Sequence, residues 1–418
     1  KFGFPGAIWP VNPRRTTVAD LPCYSSLKEL PGRADLAIIA VGAASIADMV
    51  EQCVEAGIQC GIVWAAGFAE VGGEGVELQR KLTEVCHRTG FQLCGPNSIG
   101  IINSWQPMTG SFASSLVSAE RLLRGSVSMV SQSGGLGTAA FSLAQQDGFG
   151  FRHLVSTGNE AVLTTADFLQ FLVEDEATKV IAVYLEGLTD GPAFLSALEN
   201  ARSARKPVVV LKTGSSAASA RAVKAHTGAL AGEERVWQAI FREQAAIPVE
   251  SNRELLDVAL SLSTRPPESL PRGKRVAIVT FGGGGGVLST ELCARYGMDV
   301  PSLAPETIAR LATLLPPIAS TANPVDMTPD MFQPDWLRRY PEVLKTIAAD
   351  PNIDMLLLPL SAMARGAVEV ANAVLAFHRE LTKPVFVSWT LAPTVHGLSR
   401  FGPIPTAPRR PPVPNGIT

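Results

Sequence analysis

Ser126-Val127-Ser128-Met129-Val130-Ser131-Gln132-Ser133-Gly134-Gly135-Leu136-Gly137 is the stretch whose reading decides the fold. Ser126 to Val130 has the length and apolar content of a buried strand, and it runs straight into a Ser/Gly turn. Beyond the turn an apolar, alanine-rich stretch has helical character. Strand, tight turn and helix in that order form the opening of a parallel βα unit. The turn is also an anion site in outline. Helix-starting N–H groups and the positive end of the helix dipole can meet a phosphate, with Ser131, Gln132, Ser133 and Gly134 nearest to it. An N-cap with tight packing and no ligand accounts for the same residues equally well.

The pattern repeats outward in both directions. Downstream, strands are expected at Arg152 to Ser156, Val180 to Leu185, Val208 to Lys212 and Ile247 to Val249, so residues 126–265 read as a flavodoxin-like domain. Upstream, short strands at Ala7 to Val11, Leu36 to Val41, Gly61 to Ala66 and Phe91 to Leu93 alternate with helices around Ser45 to Ala56 and Val76 to Thr89. Residues 1–120 therefore read as a doubly wound, Rossmann-like nucleotide-binding domain whose first strand and glycine turn are missing, residue 1 being Lys. Residues 104–124 read as a linker, and Thr264 to Gly273 as a second, proline-rich one. A third domain, 274–405, opens with a strand at Arg275 to Phe281 and a glycine cluster at 282–286. Strands at Met355 to Leu360 and Val385 to Trp389 make it flavodoxin-like again. The chain turns proline-rich from Gly402, and 406–418 form a tail without a core element. The fold class is thus α/β, a Rossmann-like domain followed by two flavodoxin-like doubly wound domains.

Bulk properties narrow the function. The chain has 418 residues, 46% hydrophobic and 18% charged, as a packed multidomain protein should. A formal net charge of −2 offers no electrostatic case for nucleic acid or an anionic membrane. No apolar run approaches the roughly 18 residues of a membrane span. The six cysteines lack CxxC or metal-type spacing and read as reduced core residues, which points to the cytoplasm. HExxH, GxSxG and Walker motifs are all missing from the sequence, which argues against a zinc protease, an α/β-hydrolase and a self-contained P-loop ATPase.

Three groups of residues remain as candidates for chemistry. His226, in Lys224-Ala225-His226-Thr227-Gly228-Ala229, stands alone among small residues that leave its imidazole room to swing, and neutral imidazole is a nucleophile toward phosphoryl groups near pH 7. A satisfied loop or N-cap histidine is the plainer reading. Glu186 ends the strand Val180 to Leu185, at the edge where open parallel sheets collect ligands, and it could accept a ring N–H from His226. Ser156 to Glu160 ends the neighbouring strand and lines the same rim. Val11, Asn12 and Pro13, then Val41 and Gly42, then Gly95, Pro96 and Asn97 follow strands of the first domain and suit close approach to an extended nucleotide. Gly282 to Gly286 is either a phosphate cradle or a packing turn, and Asn323-Pro324-Val325-Asp326 reads as a turn that positions a carboxylate.

Taken in order, these motifs resemble the NDP-forming acyl-CoA synthetases, relatives of succinyl-CoA synthetase. Gly6 to Pro13, Ala66 to Glu70 and Gly95 to Gly100 resemble landmarks of the family's CoA-binding domain. Ser131 to Gly134 resembles its phosphate-holding helix start, His226-Thr227-Gly228 its phosphohistidine loop, and Asn323 to Asp326 a third-domain motif. The resemblance implies that the chain binds coenzyme A through the first-domain residues named above. It also implies that His226 carries a phosphoryl group, supported by Glu186, between an acyl phosphate and ADP. ATP or ADP with Mg2+ is then handled by an ATP-grasp subunit or domain, which is not legible in these residues. Small carboxylic acids, acyl-CoA and phosphate are the expected small-molecule partners, in an oligomer without nucleic acid or membrane. A CoA-sensing block of a protein acetyltransferase is the alternative. A Rossmann dehydrogenase would need GxGxxG with a downstream acid, and neither is found.

Overall fold

Apolar residues alternate between two covers along residues 180–185 and 208–211 of the central domain, and that alternation explains its architecture. In the computed structural model, which describes residues 1–214, 219, 234–264, 270–361, 367–378 and 383–390, the chain divides into two units, Lys1–Thr264 and Arg265–Thr418.

The first unit holds two sheets. The smaller is parallel, ordered β1 (Ala37–Ile39), β2 (Cys60–Val63) and β3 (Gln92–Cys94). It is packed by α1 (Ile46–Glu55) and α2 (Glu74–Thr89) around Val50, Cys53, Leu82, Cys86 and Phe91. The Cys53 and Cys86 thiols are buried among these apolar side chains, and burial pushes them up to about 11 and about 12. The expected strand over Ala7 to Val11 is not formed. Pro10 has no N–H to give a ladder, Val11 makes only an isolated bridge to Tyr24, and Ile8 and Val11 stay exposed.

The larger sheet contains β4 (Gly100–Asn103), β5 (Met108–Ser111), β6 (Val127–Ser131), β7 (Phe151–Ser156), β8 (Val180–Leu185), β9 (Val208–Lys212) and β10 (Ile247–Val249). Their spatial order is β10-β9-β8-β6-β7-β4-β5. The five parallel strands β6 to β10 thus have the flavodoxin-like 2-1-3-4-5 order. Val127, Met129, Ala182, Tyr184 and Val209 face α3 (Gly134–Gln146) and α7 (Asn252–Ser263). Val130, Ile181, Val183 and Val210 face α4 (Thr165–Glu174), α5 (Gly191–Ser203) and α6 (Glu234–Glu243). With both faces covered, β8 is buried along its whole length, as strands of parallel sheets are.

The stretch 104–124 is not a plain linker. β4 and β5 form an antiparallel hairpin, and β4 joins the edge of β7. Asn103 closes the turn by accepting from the Trp105 and Gln106 N–H groups through its side-chain oxygen, a polar Asx device that reads as loop in the sequence.

The second unit carries a parallel sheet of β11 (Val276–Thr280), β12 (Val325–Asp326), β13 (Met355–Ser361) and β14 (Val385–Thr390), ordered β12-β11-β13-β14 among the described residues. The glycine cluster starts the helix Gly283–Arg295 directly after β11. Asn323 to Asp326 is more than a turn, since it carries β12. Asn323 imitates a ladder partner ahead of it, accepting from the Ile278 N–H at 3.0 Å and donating to the Val276 carbonyl at 2.8 Å. The proline-rich stretch 265–269 and the tail from Gly402 lie outside the described residues.

Candidate functional site

The 2-1-3-4-5 order places β6 between β7 and β8, and the chain leaves β6 and β8 toward opposite faces. α3, after β6, packs on one cover, while α5, after β8, packs on the other. A crevice therefore opens between the carboxyl ends of β6 and β8, where sheets of this kind receive ligands. Ser131 to Gly134 lie on one side of that point and Glu186 on the other, so the structure brings these predicted residues together.

Gln132 spans the gap. Its Oε1 accepts from the Glu186 N–H at 2.6 Å and the Gly187 N–H at 3.1 Å, and its Nε2 donates to the Gly187 carbonyl at 2.8 Å. Ser131 is fully buried and its hydroxyl donates to the Ser133 carbonyl at 2.7 Å. Ser133 is the N-cap of α3, its Oγ accepting from the Leu136 N–H at 3.3 Å. Both hydroxyls are thus engaged within the turn. The groups left to meet an anion are the Gly134 and Gly135 N–H groups at the start of α3, which by geometry have no acceptor inside the helix. Gly134 is required by close approach, because a Cβ there would lie 2.6 Å from Ile99 Cγ2.

Glu186 is buried at 6% exposure, and its Oε1 accepts from the Tyr184 hydroxyl at 3.2 Å. Burial pushes the Tyr184 phenol up to about 12, which keeps its proton available for this bond at neutral pH. Lys212, ending β9, donates to the Glu186 carbonyl at 2.9 Å and to the Thr213 carbonyl, and sits over the Trp237 ring at 5.1 Å. Burial lowers its ammonium to about 8, against the opposing pull of Glu234 and Glu186. Glu160, in the loop after β7, is buried with its Oε1 accepting from the Thr157 hydroxyl at 2.9 Å and the Thr165 N–H at 3.0 Å. The Gln132 side chain also lies within hydrogen-bonding reach of it. Burial raises the Glu160 carboxyl even though every one of these donors favours its charge.

The loop carrying Glu160 also grips the smaller sheet. Asn159 and Ala161 donate backbone N–H groups to the Pro96 and Gly95 carbonyls at 2.9 and 3.0 Å, and Thr157 donates to the Ser131 carbonyl at 3.0 Å. The Asn97 side chain donates to Asn159 Oδ1 at 3.2 Å, and Asn159 in turn donates to Gln79 at 3.0 Å and to Glu70. Gly158, at φ +61°, leaves no room for a side chain, since a Cβ would meet the Pro96 carbonyl at 2.1 Å. Gly95 and Pro96 are consequently buried against this loop, and Asn97 is half-buried. Val41 and Gly42 follow β1 and are exposed, with open space where a Gly42 Cβ would stand. Val11 and Pro13 are exposed and Asn12 is half-buried, joined to Tyr24 by a 2.9 Å N–H···O bond. His226 lies outside the described residues.

Sequence reasoning did not single out Lys212 or Tyr184, and it included Asn159 only within the rim stretch Ser156 to Glu160. Lys212 carried a signal, being a charged residue that ends an apolar strand beside the strand ended by Glu186. Among the described residues no cluster of His, Cys, Asp and Glu is arranged to hold a metal ion, and no helix is long and apolar enough to cross a membrane.

Comparison with known proteins bears on both domains of this unit. Residues 124–262 match the family model described as a succinyl-CoA ligase like flavodoxin domain, and residues 5–104 match a CoA binding domain. Acetate–CoA ligase [ADP-forming] I of Archaeoglobus fulgidus is 36% identical over 362 residues, which are 87% of this chain and 51% of that protein. The chain thus spans about half the length of that relative. The subunit alpha of acetate–CoA ligase [ADP-forming] II of Pyrococcus furiosus is 35% identical over 84% of this chain and 74% of its own length. Among solved structures, the dinucleotide forming acetyl-coenzyme A synthetase 1 of Ca. Korarchaeum cryptofilum, in complex with phosphate and ADP, superposes with a TM-score of 0.82. It is 31% identical, and the match covers 96% of this chain and 84% of that one.

Proposed function

The chain belongs to the family of ADP-forming acyl-CoA ligases, and on that premise we propose that it is the CoA-binding, α-type part of an acid–thiol ligase. The reaction interconverts acyl-CoA, ADP and phosphate with a carboxylic acid, CoA and ATP. In the first step a phosphate oxygen attacks the thioester carbonyl, the C–S bond breaks and CoA leaves as the thiol. The acyl phosphate then passes its phosphoryl group to the His226 imidazole, with the P–O bond breaking and the carboxylate leaving. Phosphohistidine finally gives the group to ADP. Dividing a three-substrate reaction into phosphoryl steps is covalent catalysis.

The observation that carries this reading is the crevice between β6 and β8. It combines the start of α3 with a buried carboxylate, Glu186, fixed at its rim. The helix start suits the roughly two negative charges of a phosphoryl group. The carboxylate suits a histidine ring N–H, which it would orient and whose cationic form it would stabilise. CoA would approach the carboxyl edge of the smaller sheet, where the backbone at Gly42 faces open space and Val41 is exposed. Val11, Asn12, Pro13, Gly95, Pro96 and Asn97 would complete the CoA site from the same domain. ATP or ADP with Mg2+ would be supplied through an ATP-grasp subunit or domain, in an oligomer in the cytoplasm, where thiols such as the six free cysteines stay reduced. The matched relatives are named as ligases, which favours turnover over the sensing alternative.

The test is phosphorylation of the chain by labelled acetyl phosphate and other acyl phosphates, alongside His226→Ala. Acid-labile, base-stable label that is lost in the variant is the expected result. A folded wild-type chain that takes no label from any donor, or a His226→Ala chain that keeps it, removes the reading.

A further inference from the structure

We propose that Gln132 and Lys212 are positioning residues that hold the Glu186–Gly187 peptide from both sides, and through it set the Glu186 carboxylate for phosphoryl transfer. The functional half of this rests on the reading of Glu186 as the support of a phosphohistidine. The grip itself rests on geometry alone.

Past Leu185 the chain leaves the ladder of β8, and its backbone groups need other partners. Gln132, from the end of β6, satisfies three of them: the N–H of Glu186, the N–H of Gly187 and the carbonyl of Gly187. Only one orientation of the amide is compatible with this set. Turned over, its oxygen would face the Gly187 carbonyl and its NH2 would face two N–H groups, three mismatches at once. Glu160 adds a further acceptor on the NH2 side, and Glu160 is itself immobilised by Thr157 and Thr165. From the other side, Lys212 at the end of β9 donates to the Glu186 carbonyl, its ammonium 5.1 Å from the centre of the Trp237 ring. The same residue is thus gripped at its N–H by the strand on one side and at its C=O by the strand on the other. Tyr184 then fixes the carboxylate.

This arrangement differs from a phosphate-binding role for the Gln132 side chain, whose polar atoms are already committed. It supplies precision instead. A displacement of about 1 Å at a reacting centre is enough for a loss of about 100-fold, so a peptide anchored on two edges matters more than its bond energies suggest.

The experiment compares Gln132→Leu, Lys212→Met and Lys212→Arg in the full chain. Three quantities are read: amide hydrogen exchange at Glu186 and Gly187, the decay of phosphoenzyme made with labelled acetyl phosphate, and the melting temperature. Gln132→Leu is expected to speed exchange at those two amides by at least about tenfold while distant strands keep theirs. Phosphoenzyme decay should quicken by about tenfold in Gln132→Leu and Lys212→Met, and Lys212→Arg, which keeps a charged donor, should restore it. Unchanged exchange at Glu186 and Gly187 overturns the grip. Changed exchange with an unchanged phosphoenzyme lifetime, or an arginine variant no better than methionine, overturns the positioning role. A wild-type chain that takes no label while the exchange contrast persists removes the phosphoryl reading and leaves the grip supported.

Discussion

Replacing Gly134 by alanine tests the turn where an anion would be met. A Cβ built there stands 2.6 Å from Ile99 Cγ2, 3.2 Å from Cγ1 and 3.4 Å from Cβ. Carbon atoms pack at about 3.5–4.0 Å, so one side must retreat by about 1 Å. Ile99 cannot swing away easily. It is β-branched, the next residue begins β4, and the preceding Ser98 donates its hydroxyl to the Ser156 carbonyl at 2.5 Å. Overpacking of this kind costs about 2 kcal/mol, and for a unit of this size that lowers the melting temperature by about 4–8 °C. The start of α3 shifts with it, and labelling by acetyl phosphate should fall by about 100-fold. Ile99→Ala removes both γ carbons, at a cost of about 1–2 kcal/mol for a half-buried side chain. The double variant should then recover, with a coupling of about 1–3 kcal/mol in a urea-unfolding cycle. If the two single costs simply add, within about 0.5 kcal/mol, the close approach of Ile99 to Gly134 is not what fixes the turn.

Three further outcomes follow from the electrostatics and the contacts. Burial works against charge on Asp175, yet the Arg152 and Thr178 hydrogen bonds prevail and hold its carboxyl well below the usual range. Its stabilisation is therefore complete above the unfolded value near 3.9 and fades as the pH falls further. Asp175→Asn should cost about 2–3 kcal/mol at pH 7, and urea midpoints should show the gap to wild type narrowing below about pH 4. Lys212 loses its proton at about 8, so phosphoenzyme lifetime should shorten above that pH, and Lys212→Arg should abolish that limb. Stability should move the opposite way, rising between pH 8 and about 10.4 because the unfolded lysine keeps its proton longer. Asn159→Ala removes the tie between Asn97, Gln79 and Glu70. Calorimetry should show the CoA dissociation constant rising about tenfold, or 1.4 kcal/mol, and an unchanged constant would show that the tie does not shape the rim.

Much of this architecture was legible because apolar strands in parallel sheets announce themselves. Val208–Lys212 and Ile247–Val249 were read to the residue, and Val180–Leu185 likewise. Ala7 to Val11 misled for a physical reason, since a run of apolar residues around Pro10 has the composition of a strand without its donors. The hairpin over Gly100–Ser111 was hidden because it lies at a sheet edge and its strands are rich in Gly, Asn, Thr and Ser. At the site, Ser131 to Gly134 and Glu186 could be placed at strand ends, which is a local property. That Gln132 would turn its side chain across to the residues that follow β8 depends on the 2-1-3-4-5 strand order. So does the approach of Lys212 to the Glu186 carbonyl. Neither follows from sequence spacing, because the partners lie 54 and 26 residues apart.

The hairpin of β4 and β5 governs how the protein can be dissected or recombined. Composition suggests cutting near residue 120, ahead of β6. A fragment beginning there would lose β4, and β7 would become a bare outer strand with unpaired N–H and C=O groups, an invitation to self-association. It would also lose the Gly95 and Pro96 carbonyls that receive the loop at Asn159 and Ala161. Chimaeras between relatives should therefore exchange residues 92–163 as a single block. The boundary that respects both sheets of the first unit lies after α7, where that unit ends.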